Sequence, residues 1–351
     1  MAALTTPHSG YHWRGGSHRF FEGWYLRLSL PQLGQAVAFM YSIDDPAGGA
    51  PHSGGAAQIL GPDDAYCCRT FPDVSRFWAW RDRNGLGHSR SGPLGHRENF
   101  LAAAGEGYQV TPTRHQGRLQ DPATGQEITW DYSIQPVYGW GPPDRPQRPT
   151  AGWLSYLPIT EPGWQVLMAH GLATGYLQWG AQRYEFDQAP AYAEKNWGGA
   201  FPSRWFWLQA NAFEGTPDLT VTAAGGRRQI GPRQEEVAIA AVHHRGCFYE
   251  FLSTKGQLVW QVSPWGRWSL QGETHRHRIT LTGDTEKAGV WVRVPTQTGL
   301  RFLCRDTARG RLHLKLTDRR SGRDIVSADT RLAGLEVGGP PEVASPWGRP
   351  L

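Results

Sequence analysis

The sequence predicts an all-β protein with few short helices, and three observations carry that expectation. Among 351 residues, 44 glycines and 26 prolines are spread along the whole chain. Methionine is limited to 3 and lysine is scarce, so strong helix formers are thin. Short aromatic or β-branched runs recur between turn dipeptides, as in a chain of strands. In order, strands are expected at Gln35 to Ile43, Gln165 to His170, Trp205 to Asn211, Glu236 to His243, Phe248 to Leu252, Leu258 to Val262, Ile279 to Thr282, Val290 to Val294 and Leu312 to Leu316. Between them, Tyr138-Gly139-Trp140-Gly141-Pro142-Pro143-Asp144-Arg145-Pro146-Gln147-Arg148-Pro149 loses backbone donors at its prolines and reads as a loop over residues 138–149. Gly338-Gly339-Pro340-Pro341 and Ser345-Pro346-Trp347-Gly348 read as an irregular tail. The length suits one large or two average domains.

Two segments set charged groups among aromatic rings. The first runs from Gly10 to Leu30 and contains Arg19-Phe20-Phe21-Glu22-Gly23-Trp24-Tyr25. A two-residue period places Phe20, Glu22, Trp24, Leu26 and Leu28 on one apolar face, with Phe21, Tyr25, Arg27 and Ser29 on a more polar one. An isolated carboxyl on the apolar face loses hydration and favours its neutral form, which makes Glu22 a candidate proton donor. The alternative is a structural ion pair with Arg19, Arg27 or Lys195. The second segment is Ala193-Glu194-Lys195-Asn196-Trp197-Gly198-Gly199-Ala200-Phe201-Pro202-Ser203-Arg204-Trp205-Phe206-Trp207-Leu208-Gln209. As a strand, its end puts Trp205, Trp207 and Gln209 on one side and Phe206 and Leu208 on the other. That pattern fits the wall of an apolar ligand site, and an ordinary sandwich core more readily still. His170 closes Trp164-Gln165-Val166-Leu167-Met168-Ala169-His170 on the face of Trp164, Val166 and Met168, as a proton acceptor or a hydrogen-bonded core residue.

Other classes of function find little support. The net charge is +5, with no basic block, so nucleic acid is a weak partner, whereas a diffuse positive field suits an anionic membrane surface. No apolar run reaches the roughly 18 to 20 residues needed to span a bilayer, and Met1-Ala2-Ala3-Leu4-Thr5 has no secretory character. Cys67, Cys68, Cys247 and Cys304 have neither metal-site spacing nor the pattern of a disulfide framework, so a reducing compartment is expected. No P-loop or dinucleotide fingerprint is present. His243-His244 would point to opposite faces, and His275 with His277 lies in a polar run that suits a solvated edge better than a metal site. Asp44-Asp45, Asp63-Asp64 and Glu235-Glu236 read as turn or polar acids. No metal and no cofactor is expected.

Longer runs are specific. His8-Ser9-Gly10-Tyr11-His12-Trp13, the run around Glu22, and Ala38-Phe39-Met40-Tyr41-Ser42-Ile43-Asp44-Asp45-Pro46 resemble the tocopherol cyclase family. So do Gly54-Gly55-Ala56-Ala57-Gln58-Ile59-Leu60-Gly61-Pro62, Arg69-Thr70-Phe71-Pro72-Asp73, Phe77-Trp78-Ala79-Trp80, residues 194–202 and Gly334-Leu335-Glu336-Val337-Gly338-Gly339, in that order. The resemblance implies two lipocalin-like antiparallel β-barrel or sandwich domains, expected at 1–188 and 189–351. The lack of a plant-type leader looks cyanobacterial, and the implied setting is cytoplasmic or peripheral to the thylakoid membrane. The implied reaction is ring closure of a phytyl-benzoquinol to a chromanol in vitamin E biosynthesis, an isomerisation in which only a proton moves and no cofactor is used.

That chemistry needs an acid held neutral, a partner for the phenol and a dry, ring-lined chamber that stabilises a cation without capturing it. Glu194 and Glu22 are the candidate acids and His170 the candidate acceptor. Asn196 and Gln209 are candidates for orienting the head group, and Trp24, Trp197, Trp205 and Trp207 for the walls. These roles are inferred from pattern. A non-catalytic carrier of prenyl lipids, a carotenoid-hydratase-like enzyme that adds water to a similar cation, and a glycan-binding or glycan-cleaving β protein are the competing readings.

Overall fold

The computed structural model describes residues 5–16, 18–91, 95–156, 160–230, 233–263 and 265–340, and the rest of the expected tail lies outside the described residues. The chain folds as two compact units. The first comprises Met1–Leu30, Val37–Phe201 and Pro295–Leu300, and the second Pro31–Ala36, Pro202–Val294 and Arg301–Leu351.

Strands of the first unit are β1 (Phe21–Leu30), β2 (Gln35–Asp44), β3 (Gly54–Leu60), β4 (Tyr66–Phe71), β5 (Phe77–Ala79), β6 (Leu86–Ser89), β7 (Gly107–Val110), β8 (Arg114–Gln120), β9 (Glu127–Tyr138), β10 (Thr160–Glu161), β11 (Gly163–Trp179) and β12 (Gln182–Gly198). The only α-helix among the described residues is one turn, Phe100–Ala103. Eleven of these strands form one sheet in the order β4-β3-β2-β1-β12-β11-β9-β8-β7-β6-β5. The second unit carries β13 (Arg204–Ala210), β14 (Thr220–Ile230), β15 (Arg233–His244), β16 (Cys247–Leu252), β17 (Leu258–Val262), β18 (Arg267–Glu273), β19 (His277–Asp284), β20 (Val290–Thr296), β21 (Gly299–Asp318) and β22 (Asp324–Gly338). Its order is β16-β15-β14-β13-β22-β21-β19-β18-β17, with β20 on β21. Both units pair their first strand with their last, antiparallel, so the same plan recurs without a repeat in sequence.

The expected strands are all present, but β11 and β12 reach 17 residues and β21 reaches 20. Bulges let these long strands bend and continue, where a sequence pattern loses its phase. Gln188, where the first unit was expected to end, lies inside β12 with φ 51°, and that unit runs on to Phe201. Asp45, Asp63 and Asp64 have positive φ, as expected of acids in turns.

Each unit has its own core. In the first, Trp24, Leu26, Leu28, Phe39, Tyr41, Tyr108, Trp130 and Tyr132 pack together, and buried His115 bridges the Tyr41 hydroxyl (2.6 Å) and the Tyr132 hydroxyl. Burial holds that imidazole well below its ordinary pKa, so it is neutral. In the second, Phe206, Leu208, Trp260, Trp268, Leu281, Leu314 and Leu335 are central. The packing leaves little slack: a β-carbon at Gly117 would lie 2.0 Å from the Trp130 ring. Gly117→Ala is therefore expected to cost roughly 1–3 kcal/mol in urea unfolding, and an unchanged midpoint would contradict this packing.

Candidate active site

β1 and β12 run antiparallel with Glu22 opposite Trp197, Trp24 opposite Lys195 and Tyr25 opposite Glu194. Strand alternation therefore divides the two candidate acids between the two faces of the sheet. Glu22, Trp24, Lys195 and Trp197 project to the side of the first core, as expected for Glu22. Glu194 projects to the other side, with Tyr25, Arg27 and Tyr192.

On the core side, the fully buried Glu22 carboxylate receives the Lys195 ammonium and the His12 backbone N–H (2.9 Å), and His12 Nδ1 lies 3.4 Å from its other oxygen. Lys195 also donates to the Gly10 carbonyl at 2.7 Å. The His12 ring stacks on Trp197 with centroids 3.9 Å apart, and its Nε2 lies 3.4 Å from His8 Nδ1. Burial alone would raise the Glu22 carboxyl, but Lys195 and His12 overcome it and hold the group below its ordinary pKa. Of the two readings offered by the sequence, the ion pair with Lys195 is the one present, and it favours the charged form of Glu22. Trp24 and Trp197 turn their faces to a cation, but that cation is Lys195, at 5.6 and 5.4 Å from the ring centroids.

On the other face Arg27 and Tyr192 are almost fully buried and Glu194 is 6% exposed. The face expected to be the more polar one is thus buried as well. The Tyr192 hydroxyl donates to Glu194 at 2.6 Å, and Arg27 donates to Ser29 Oγ at 2.8 Å. Asn196 is half-buried further along this face of β12. His170 is buried opposite Tyr138 on β9, with ring centroids 5.5 Å apart. It does not share an uninterrupted face with Val166 and Met168, because register shifts on both sides of Met168 break the alternation and Leu167 and Met168 both enter the core.

The other three candidates lie in the second unit. Phe206 and Leu208 enter its core, so Trp205, Trp207 and Gln209 face the opposite way, and all three are buried. On that face the register aligns Trp207 with Glu336 of β22, and Glu336 with Asp306 of β21. A tryptophan and two carboxyls thus form one row across three strands. The Trp205 indole N–H donates to the Glu336 carboxyl. Glu336 is partly exposed as a residue but its carboxyl end is desolvated, which raises it above its ordinary pKa, and the hydrogen bonds from Trp205 and the Cys304 thiol only partly offset this. Asp306 is fully buried. Glu336 is therefore a carboxyl of the kind that Glu22 was expected to be.

The sequence held a signal for it. Gly334-Leu335-Glu336-Val337-Gly338 alternates apolar residues with a Glu that shares its face only with glycines, and one of those gaps is filled, since a β-carbon at Gly338 would lie 1.9 Å from the Trp205 ring. Among the described residues no group of His, Cys, Asp and Glu has the arrangement of a metal centre.

The fold and these residues define a lipocalin-like, two-unit β protein with a tryptophan-lined carboxyl on one sheet face. The chain belongs to the tocopherol cyclase-like family, whose model matches residues 18–339. It is 40% identical to a rice (Oryza sativa subsp. japonica) protein named "Probable tocopherol cyclase, chloroplastic" and 39% identical to the Zea mays chloroplastic tocopherol cyclase, in each case over 97% of this chain and 79% of the relative. Among solved structures it is similar to CghA with Sch210972 (TM-score 0.54, 12% identity, 97% of this chain and 98% of that one). It is also similar to an AttH candidate from Nitrosomonas europaea (TM-score 0.51, 14% identity, 96% and 99%). At such identities the likeness is one of fold.

Two predictions follow from the ion pair and the buried histidines. Removing one partner strands a buried charge, so Glu22→Gln and Lys195→Met are each expected to cost about 3–5 kcal/mol in denaturant unfolding, and the double variant much less than their sum. Additive losses would contradict the pairing. Burial draws His8 and His88 down to about 4, so the folded state refuses protons that the unfolded chain accepts below about 6.5. Stability should therefore fall as pH drops from about 6.5 to 4. The depressed Glu22 contributes stability that is present above its unfolded value of about 4.3 and lost as pH falls further, and in Glu22→Gln this last part should vanish from the profile.

Proposed function

We propose that this chain is a cofactor-independent cyclase that closes the chromanol ring of a phytylated benzoquinol, with Glu336 as proton donor. We further propose that it meets its lipid substrate as a peripheral membrane protein. The family and the plant relatives support the reaction. The desolvated Glu336 carboxyl on the Trp205 indole is the observation that carries the choice of donor.

Substrate and product have the same atoms, so one proton given and one returned are sufficient. Glu336 gives its proton to the tail alkene nearest the ring, leaving a tertiary cation and a carboxylate. The phenol oxygen attacks the cation, the carbon–oxygen bond closes the six-membered ring, and the phenol proton leaves to Asp306. Transfer across the ladder from Asp306 restores Glu336. Such cross-strand pairs stand about 4.5–5.5 Å apart at their β-carbons, within reach of a shared proton. The faces of Trp205 and Trp207 stabilise a nearby cation by roughly 1–2 kcal/mol each when desolvated, and neither offers an atom to trap it. Gln209, one side-chain step along β13 from Trp207, holds a head-group hydroxyl.

A second reading keeps Glu194 as donor, favoured by its burial and by the Tyr192 hydroxyl at 2.6 Å, with His170 as acceptor and Asn196 orienting the ring. The two separate cleanly. With reduced dimethyl-phytylbenzoquinone and no added cofactor, wild type should release a chromanol of unchanged mass. Glu336→Gln should lower kcat by about 10²–10⁴-fold with its melting curve intact, while Glu194→Gln keeps most of the rate. The opposite pattern would transfer the role to Glu194. A product heavier by one water would indicate a hydratase, and substrate bound but returned unchanged would indicate a carrier.

A further inference from the structure

Five large hydrophobic residues among the described residues are markedly exposed, and two of them, Trp291 (41%) and Phe302 (47%), lie on the adjoining strands β20 and β21. They are joined by arginines rather than scattered. The Arg293 guanidinium lies over the Phe302 ring at 4.7 Å. Two residues away on β20, Trp291 meets the Arg305 guanidinium at 5.9 Å, and Arg305 in turn covers the Trp265 ring at 4.8 Å. Arg305 is anchored by its Nε to the Ala288 carbonyl at 2.5 Å, and Trp265 by its indole N–H to the Lys287 carbonyl at 2.8 Å. The nearby acids Asp284 and Glu286 are both engaged by Arg311.

We propose that this aromatic and arginine row on β20 and β21 is the surface with which the protein docks on an anionic lipid bilayer. Indole and phenyl rings partition to the headgroup level of a membrane, and arginines beside them reach lipid phosphates while their stems stay with the rings. A rim of this composition fits no buried core. Its cations match an anionic leaflet, and the net charge of +5 agrees in sign. The inference rests on the proposed lipid substrate for its purpose, since an enzyme acting on a phytylated quinol must take it from a membrane, but the surface itself is read from the side chains alone.

The test is co-sedimentation of the full chain with phosphatidylcholine vesicles, with and without phosphatidylglycerol, in the absence of substrate. Wild type should bind the anionic vesicles more tightly than the neutral ones. Trp291→Ala with Phe302→Ala should weaken that binding by about tenfold or more. Arg293→Gln with Arg305→Gln should weaken it by roughly 5-fold per arginine removed and flatten its salt dependence. Turnover of detergent-dispersed quinol should be unchanged in both variants. Wild type remaining in the supernatant, aromatic variants that bind as well as wild type, or a parallel loss of detergent turnover would each overturn the docking surface. So would dimerisation that disappears with Trp291 and Phe302 in place of vesicle binding, because the occupant would then be a second copy. Loss of wild-type detergent turnover alone would overturn the cyclase reading instead, leaving the vesicle result to stand on its own.

Discussion

The pKa of a buried carboxyl rises where leaving water costs it more than its neighbours return, and Glu22 and Glu336 fall on opposite sides of that balance. Both are desolvated. Glu22 meets an ammonium and a backbone N–H, which favour the charged form beyond the cost of burial. Glu336 meets an indole N–H and a thiol, neutral donors that do not reach that far. A single cation thus separates these two carboxyls.

The ion pair has its own consequence for architecture. Lys195 joins a buried carboxylate on β1, a carbonyl of the preceding segment and the faces of two tryptophans, and so fixes the entrance of the chain against its last strand in the first unit. Such pairs contribute little net stability relative to an apolar core of the same shape, but they penalise any arrangement that separates their members. In the second unit the corresponding junction of first and last strand holds Trp205, Trp207 and Glu336 instead. The strand plan recurs at the two junctions while their residues differ.

Much of this was legible in the sequence because strand periodicity is local. Glu22 with Trp24 and Leu26, and Trp205 with Trp207 and Gln209, were placed on their correct faces by counting in twos. The all-β class followed from glycine, proline and β-branched composition. What failed was whatever depended on partners distant in sequence. Lys195 was one of three cations offered to Glu22, and nothing local could select it across 173 residues of chain. The face of His170 was misjudged because bulges on each side of Met168 reset the alternation. Glu336 carries no local signal of what surrounds it, since its same-face neighbours in sequence are glycines and the ring that covers it comes from β13. The boundary at Gln188 followed from the two-domain architecture that the resemblance implies, whereas the first unit runs on through β12 to Phe201.

The protonation of Glu336 can be observed without turnover. Carboxyl resonances of the protein labelled with ¹³C at the glutamate side chains, followed through a pH titration and assigned by comparison with Glu336→Gln, report it directly. The account requires the Glu336 signal to remain that of the neutral acid at pH values where exposed glutamates have already ionised, while Glu22 remains a carboxylate below them. A Glu336 resonance that titrates with the surface glutamates, or below them, would contradict it.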